Sequence, residues 1–335
     1  MAKRWVSSFL FLSIFLAMVV SHSADGPLPA LFILGDSTAD VGTNTLLPQS
    51  VVRADLPFNG IDFPHSRPTG RFSNGFNTAD FLAKHIGYRR SPPPFLSILS
   101  HSSSLSKKFL RGVNFASGGS GILDTTGQTL GIITLGAQIQ QFATVHSNLT
   151  AAIDFVRSWG KEVWNLSVPP IGCCPSLRTL DPSYGCLEEM NEYATFFYTT
   201  IQALMQRLSS EYQGMKYSLG NAYDMAMYVV NNPVAFISSK FSDFTDVKSA
   251  CCGGGKLNAQ SPCVPTAALC SDRDKYLFWD LFHPTKHACK LAALPSTLGS
   301  QYLCRQSTSL SWPWIISQQT VFLLSEIVSI RSVFQ

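Results

Sequence analysis

The sequence predicts an α/β fold around a largely parallel sheet, because short apolar runs alternate with segments of helical periodicity. Residues 28–34 precede a Gly-Asp-Ser turn and residues 163–168 precede two prolines, and both runs are typical of buried strands. Helical spacing of apolar residues occurs in the segments 78–85, 135–145 and 188–212.

Composition limits the class of protein. Of the 335 residues, 45% are hydrophobic and 14% are charged, so the chain has enough apolar material for a large core. The formal net charge is only +4 and like charges do not form runs. This argues against nucleic acid or an anionic membrane surface as a partner.

Residues 1–24 have the pattern of a secretory signal peptide: a basic start, an apolar stretch, and small residues near Ala24. The alternative, a membrane anchor, is disfavoured because the apolar stretch is short and interrupted by serines. We therefore expect a secreted, extracellular protein whose mature chain has no integral membrane span.

Nine cysteines fit an oxidising compartment, and the absence of CxxC pairs favours disulfides over a metal site. Their odd number leaves at least one thiol unpaired, and Cys304 is the candidate. Glycosylation sequons begin at Asn148 and Asn165. The second lies in an apolar run, so only Asn148 is expected to carry a glycan.

Ser37 follows the first predicted strand directly, within ILGDSTADVGTN. A serine at the carboxyl end of a strand is exposed at the edge where open α/β sheets bind ligands, and this suits a nucleophile. Taken alone, the Gly-Asp-Ser motif is better explained as a helix N-cap.

Asp280 and His283 are three residues apart in YLFWDLFHPTKHA, so the carboxylate can reach the imidazole within one turn. Such a carboxylate fixes the tautomer and leaves the other ring nitrogen able to accept a hydroxyl proton. A surface aspartate with a capping histidine is about equally compatible with this pair. A metal pair of His283 and His287 is weaker, because no third ligand has suitable spacing.

The glycine-rich segment 112–124 lacks the spacing of the phosphate-binding motifs GxxxxGK[ST] and GxGxxG. Exposed backbone N–H groups that face an oxyanion are a better explanation for its glycines. No GxSxG motif occurs, so the chain is not an ordinary α/β-hydrolase.

Six stretches, in this order, carry a family resemblance: FILGDSTADVGTN, RPTGRFSNG, GVNFASGGSGI, SVPPIGCCP, ACCGGG and FWDLFHPT. In content and order they are similar to the plant GDSL esterase/lipase family of the SGNH hydrolase superfamily. The resemblance implies a three-layer α/β/α sandwich with a parallel, flavodoxin-like sheet in residues 25–294. It also implies hydrolysis of small-molecule or lipid carboxylic esters in the cell wall or apoplast, without a cofactor or metal.

Carried over by position, the resemblance makes Ser37 the nucleophile and Asp280 and His283 the acid and base of a triad. The N–H groups of Ser37 and Gly118 would be oxyanion-hole donors. Asp36 and Asn44 belong to the same first block as Ser37 and would support it.

The sequence departs from the family in one block. The family's Gly-x-Asn-Asp, which ends a central strand and supplies the third oxyanion donor, is absent, and no Asn-Asp pair occurs anywhere. The flanking stretches abut near 150/151, so the sheet could lack one central strand and leave unpaired backbone groups beside the gap. Asn44, Asn74 or Asn77 could replace the missing donor.

Residues 295–335 form an atypical C-terminal tail that matches nothing expected of the family. The deletion and the tail together suggest an alternative transcript or a faulty gene model. Three hypotheses therefore follow: an active ester hydrolase, a catalytically impaired relative that acts as a binding protein, and an acyltransferase that uses an alcohol in place of water.

Overall fold

The computed structural model describes residues 30–100, 105–123, 125–152, 162–211, 216–237, 240–293, 304–306 and 321–325. The predicted signal peptide lies outside these residues. The helices are α1 (Thr78–His85), α2 (Phe95–Leu99), α3 (Leu105–Phe109), α4 (Leu135–Ala152), α5 (Pro175–Arg178), α6 (Glu188–Glu211), α7 (Ala222–Asn231) and α8 (Lys286–Ala292). Short 3₁₀ turns cover Asn44–Leu46, Pro64–Ser66, Gln128–Leu130, Ile171–Cys173, Lys256–Asn258 and Arg273–Lys275.

The main sheet has six strands among the described residues, and its order differs from the order along the chain. The strands are β1 (Leu31–Leu34), β2 (Gly112–Asn114), β3 (Glu162–Leu166), β4 (Lys216–Gly220), β11 (Cys304–Gln306) and β12 (Val321–Ser325). Their spatial order is β11-β4-β3-β12-β1-β2. All neighbours are parallel except β11, which runs antiparallel to β4 at the edge. The expected α/β fold with a largely parallel sheet is confirmed.

A strand from the C-terminal tail lies where a gap was expected. Strand β12 pairs with β1 from Leu31↔Val321 to Leu34↔Leu324, and on its other edge with β3 from Glu162↔Val321 to Leu166↔Ser325. The expectation of a sheet without one central strand is thereby corrected, because the backbone groups on the facing edges of β1 and β3 need partners and β12 pairs with both. The tail supplies a second strand, β11, to the same sheet.

The side chains of β1 alternate between two apolar clusters. Phe32 and Leu34 pack in a cluster with residues of α2, α3 and α4. Leu31 and Ile33 point to the other face and pack with Ala79 and other residues of α1. Helices therefore cover both faces of β1, as the alternation of side chains along a buried parallel strand requires.

The second half of the chain carries three two-stranded sheets. These are β5 (Val234–Ile237) with β6 (Lys240–Asp243), β7 (Asp246–Ala250) with β10 (Tyr276–Phe278), and β8 (Cys252–Gly253) with β9 (Ala268–Leu269). Among them, β10 matters most for the candidate site, because it precedes Asp280 and His283.

Disulfides are present as expected and join Cys173 to Cys186, Cys251 to Cys270 and Cys252 to Cys263. Cys174 and Cys289 are buried thiols outside these bonds. The side chain of Cys304, the expected unpaired cysteine, lies outside the described atoms. In the described part of the chain, no helix is long and apolar enough to cross a membrane.

The two sequons differ in exposure. Asn148 lies exposed on α4, where its side-chain amide donates to the Thr144 carbonyl at 2.8 Å. Asn165 lies in β3 with 6% of its surface exposed, as the apolar run around it predicts. Only Asn148 is accessible to a glycosylating enzyme in the folded protein.

Deletion of residues 295–335 tests the role of the tail strand. The deletion leaves facing edges of β1 and β3 unpaired. Each ladder hydrogen bond that is lost removes about 0.5 kcal/mol or more of stability. Summed over both edges, the lost free energy is comparable with the roughly 5–15 kcal/mol by which a domain is stable. We expect the shortened protein to show no cooperative unfolding transition in urea, whereas deletion of 326–335 alone, which spares β12, keeps it. Equal unfolding midpoints for the full and 295–335-deleted chains would refute the role of β12.

Candidate active site

Ser37 lies in the turn that follows β1, and Gly35 holds the start of that turn. The side-chain amide of Gln138 accepts the Gly35 N–H at 2.9 Å and donates to the Gly35 carbonyl at 2.9 Å. Gln138 is fully buried on α4. A buried glutamine therefore fixes the strand end immediately before Ser37, and nothing in the sequence pattern singled it out.

The hydroxyl of Ser37 does not cap a helix. Asp36 accepts the hydrogen bonds of the turn. Its carbonyl accepts the N–H groups of Ala39 and Asp40, and its carboxylate accepts the N–H and hydroxyl of Thr38. The Oγ atom of Ser37 lies instead 2.8 Å from Nε2 of His283. The expected supporting role of Asp36 thus has a structural basis.

Asp280 and His283 lie in the loop after β10 and contact each other within one turn. Oδ1 of Asp280 accepts the backbone N–H groups of Phe282 and His283 at 3.0 and 2.9 Å. Nδ1 of His283 lies 2.8 and 2.9 Å from the two carboxylate oxygens of Asp280. The structure therefore brings Ser37, His283 and Asp280 into one continuous chain of hydrogen bonds.

The environment sets the charge state of this pair. Burial alone would lower the pKa of His283, but the charge and hydrogen bond of Asp280, together with the charge of Asp36, raise it above its ordinary value. Burial would raise the pKa of Asp280, yet His283 and the two backbone N–H groups hold it below its ordinary value. Asp280 is therefore an ionised partner for an imidazolium.

Three contacts fasten the Asp280–His283 loop to the segment 59–74, more than 200 residues earlier. The indole N–H of buried Trp279 donates to Asn59 at 2.9 Å, and the N–H of Lys286 donates to Asn74 at 2.7 Å. Arg273 donates two hydrogen bonds to Asp62, at 2.6 and 2.8 Å. The disulfide-bonded Cys252 adds an N–H donor to the carbonyl of Trp279 at 2.8 Å.

Phe72 packs beside the imidazole. Its ring centroid lies 5.0 Å from that of His283, and the same ring would contact a Cβ added to Gly118. Its neighbour Arg71 forms a buried, two-bonded ion pair with Asp80 of α1 at 2.6 and 2.9 Å. The RPTGRFSNG block thus supports the site by packing and by a desolvated ion pair.

The structure differs from the prediction for Gly118. Its N–H donates to Oδ2 of the buried Asp40 at 2.9 Å, so it is engaged and not directed at an oxyanion. Asp40 also accepts the N–H groups of Gly42 and Thr43, and burial raises its pKa to about 6. In the described part of the chain the next N–H, that of Gly119, has no hydrogen-bond partner, and neither has that of Ser37.

None of the three asparagines considered as substitutes directs its amide at Ser37. Asn44 donates to the carbonyls of Val52 and Gly118, Asn74 donates to Asp62, and Asn77 donates to the Asp40 carbonyl while capping α1. Asn44 supports the first block by holding Gly118 in place. The three amides therefore hold neighbouring backbone and side-chain groups in place.

His287, the alternative metal ligand paired with His283, lies in an aromatic environment. His287 faces Phe244, with ring centroids 5.2 Å apart, and burial lowers its pKa. Across the described ranges no group of three His, Cys, Asp or Glu side chains could hold a metal ion.

Comparisons with known proteins show the family of the chain. The family model for GDSL-like lipase/acylhydrolase matches residues 31–152 and 140–295, two overlapping stretches. A GDSL esterase/lipase of Arabidopsis thaliana is 33% identical over 322 residues, which covers 78% of this chain and 84% of that relative. A second GDSL esterase/lipase from the same plant is 31% identical over 355 residues, which covers 88% of this chain and 93% of that relative. GDSL esterase/lipase 6, also from Arabidopsis thaliana, is 28% identical over 330 residues, which covers 84% of this chain and 89% of that relative.

The matched stretches span all three residues of the hydrogen-bonded chain, and the relatives are aligned over most of their own length. The chain belongs to the family of GDSL-like lipases and acylhydrolases, whose plant members include GDSL esterase/lipases.

Proposed function

We propose that this protein is a secreted hydrolase of carboxylic esters that acts through an acyl-enzyme on Ser37. The observation that carries the proposal is the unbroken hydrogen-bonded chain from Asp280 through His283 to Ser37. A hydroxyl held against a neutral imidazole nitrogen, whose other nitrogen is fixed by a carboxylate, is a nucleophile–base pair.

The proposed reaction has two steps. Oγ of Ser37 attacks the ester carbonyl while Nε2 of His283 takes its proton, and Asp280 stabilises the resulting imidazolium. The imidazolium then gives the proton to the leaving alcohol, and the acyl group stays on Ser37. In the second step a water molecule gives a proton to His283 and attacks the acyl carbon. The imidazolium then returns the proton to Oγ of Ser37 as the bond between the acyl carbon and Oγ breaks and the carboxylic acid leaves.

The oxyanion donors in this proposal are the N–H groups of Ser37 and Gly119. Gly119 replaces the expected Gly118, because Asp40 already accepts the Gly118 N–H. The backbone of Gly119 has a φ of +86°, a conformation that favours glycine. With the family's asparagine block absent, one donor is missing, which costs on the order of 10²–10³ in rate.

The finer features of the family are part of this proposal. They are a complete three-layer arrangement for residues 25–294, cleavage after a leader of 24 residues, secretion to the cell wall or apoplast, and a glycan on Asn148. Three disulfides and the exposed position of Asn148 support an extracellular protein.

A second candidate function is a binding protein with weak catalysis. The engaged Gly118 N–H and the missing asparagine donor favour it, because stabilisation of the oxyanion is a large part of acyl-transfer catalysis. Transfer of the acyl group to an alcohol uses the same first step and remains compatible with the site.

Hydrolysis of p-nitrophenyl acetate and p-nitrophenyl butyrate distinguishes the two candidates. We expect measurable turnover by the native chain and a loss of at least about 10³-fold in kcat for Ser37→Ala, because the nucleophile is removed. Ser210→Ala, an exposed position on α6, is the matched control and retains full activity. No turnover by a cooperatively folded native chain would favour the binding protein.

The pH dependence of kcat/KM tests the base. His283 must be neutral to accept the proton, and its pKa is raised, so activity is present at high pH and lost as pH falls through a midpoint above 6.5. Asp36→Asn removes a charge that raises this pKa and should move the midpoint to lower pH. Glu211→Gln, on the exposed surface of α6, should leave it unchanged. A midpoint unmoved by Asp36→Asn would contradict the assigned electrostatics.

A further inference from the structure

A cavity lies between α1 and α8, and Ser37, Asp280 and His283 are not among its lining residues. Its volume is about 730 Å³, within the usual range for small-molecule sites. Phenylalanines and lysines line most of it: Phe63, Phe76, Phe81, Lys84, Lys286 and Lys290. The cavity combines an apolar wall with a concentration of positive charge.

The aromatic wall is continuous. The ring centroids of Phe63 and Phe76 are 4.8 Å apart, and those of Phe76 and Phe81 are 6.0 Å apart. Nζ of Lys84 lies 3.4 Å from the centroid of Phe76 and 4.7 Å from that of Phe81. These cation–π contacts hold the Lys84 ammonium group against the wall.

Among the residues that line the cavity, three lysines face a single carboxylate, that of Asp62. None of Lys84, Lys286 and Lys290 forms a salt bridge within the described part of the chain. Asp62 accepts hydrogen bonds from Arg273 and Asn74, and Asp80 forms its ion pair with Arg71. Burial would raise the pKa of Asp62, but Arg273, Asn74 and the charge of Lys286 hold it below its ordinary value. Burial lowers the pKa of Lys84, and the charges of Lys286, Arg71 and Lys290 lower it further. The charge of Asp80 opposes this by raising the pKa of Lys84.

The backbone around the cavity fixes the position of Lys286. Its N–H donates to Asn74, and its side chain passes so close to Gly75 that a Cβ there would lie 2.7 Å from its Cδ. The glycine therefore leaves room for the aliphatic stem of Lys286. Two of the three ammonium groups are thus carried by side chains held at defined positions.

We propose that this cavity binds an amphiphilic organic anion: an oxyanion head group held by the three lysines and an apolar body against the phenylalanines. Lysine ammonium groups are donors for carboxylate and phosphate oxygens, and the rings exclude water from the body of the ligand. This site does not depend on the proposed hydrolase activity. Its ligand is recognised by the charged head group and the apolar body, and no ester bond is required.

Titration calorimetry of the Ser37→Ala protein with dodecanoate, dodecyl phosphate and neutral dodecanol tests the proposal without turnover. We expect at least one of the two anions to bind and dodecanol to bind at least about ten-fold more weakly, since charged hydrogen bonds are lost. Preference between the anions identifies the head group. The use of Ser37→Ala keeps a failure of the hydrolase proposal separate from a failure of this one.

Matched variants locate the binding. Lys84→Gln combined with Lys286→Gln should weaken anion binding at least about ten-fold, whereas Lys248→Gln, an exposed lysine on β7, should not. Lys286→Arg, which keeps the charge, should retain most of the affinity of the parent protein for the anion. The urea midpoint of each variant checks that it is folded. Equal affinities in the lysine variants and the control, equal binding of dodecanol, or no binding of either anion would overturn the proposal.

Discussion

The pairing of β1 on both of its edges is the constraint on which the rest of the site depends. Ser37 follows β1 within three residues, so its position is only as fixed as that strand. Strand β2 pairs with one edge of β1, and β12 of the tail pairs with the other. Gln138 then holds Gly35 from α4. A segment beyond the stretches that the family model matches therefore supports the strand that precedes Ser37.

The second requirement is to bring a distant loop to that strand end. Ser37 and His283 are separated by 246 positions and meet at 2.8 Å. The contacts of Asn59, Asp62 and Asn74 with the loop around β10 bridge more than 200 positions. Because Phe63 lies in the segment 59–74 and Phe76 follows it by two residues, the part of the chain that holds the Asp280–His283 loop also contributes to the wall of the lysine cavity. The proposed catalytic site and the proposed anion site thus share one support.

Local sequence patterns predicted much of the fold and of the candidate site. Helix α1 spans residues 78–85, as its spacing predicts, and α6 ends within one residue of the expected limit. The contact of Asp280 with His283 is local, at i, i+3, and is therefore predictable from spacing. The contact of His283 with Ser37 could be predicted only from the family resemblance. Long-range polar contacts were not predictable: nothing in the pattern shows that Asp40 takes the Gly118 N–H, or that Gln138 reaches Gly35. Likewise VFLLS has the composition of a strand, but its partners lie 155 or more positions away in sequence.

The most direct test of the account is covalent labelling of the secreted, purified chain with a fluorophosphonate, followed by mass spectrometry of its peptides. A nucleophile activated by His283 on a sheet completed by β12 predicts a single adduct on Ser37. That adduct should disappear when the protein is first unfolded. A cooperatively folded chain that takes no label at Ser37 would contradict the account, because the hydrogen-bonded triad would then not activate the serine.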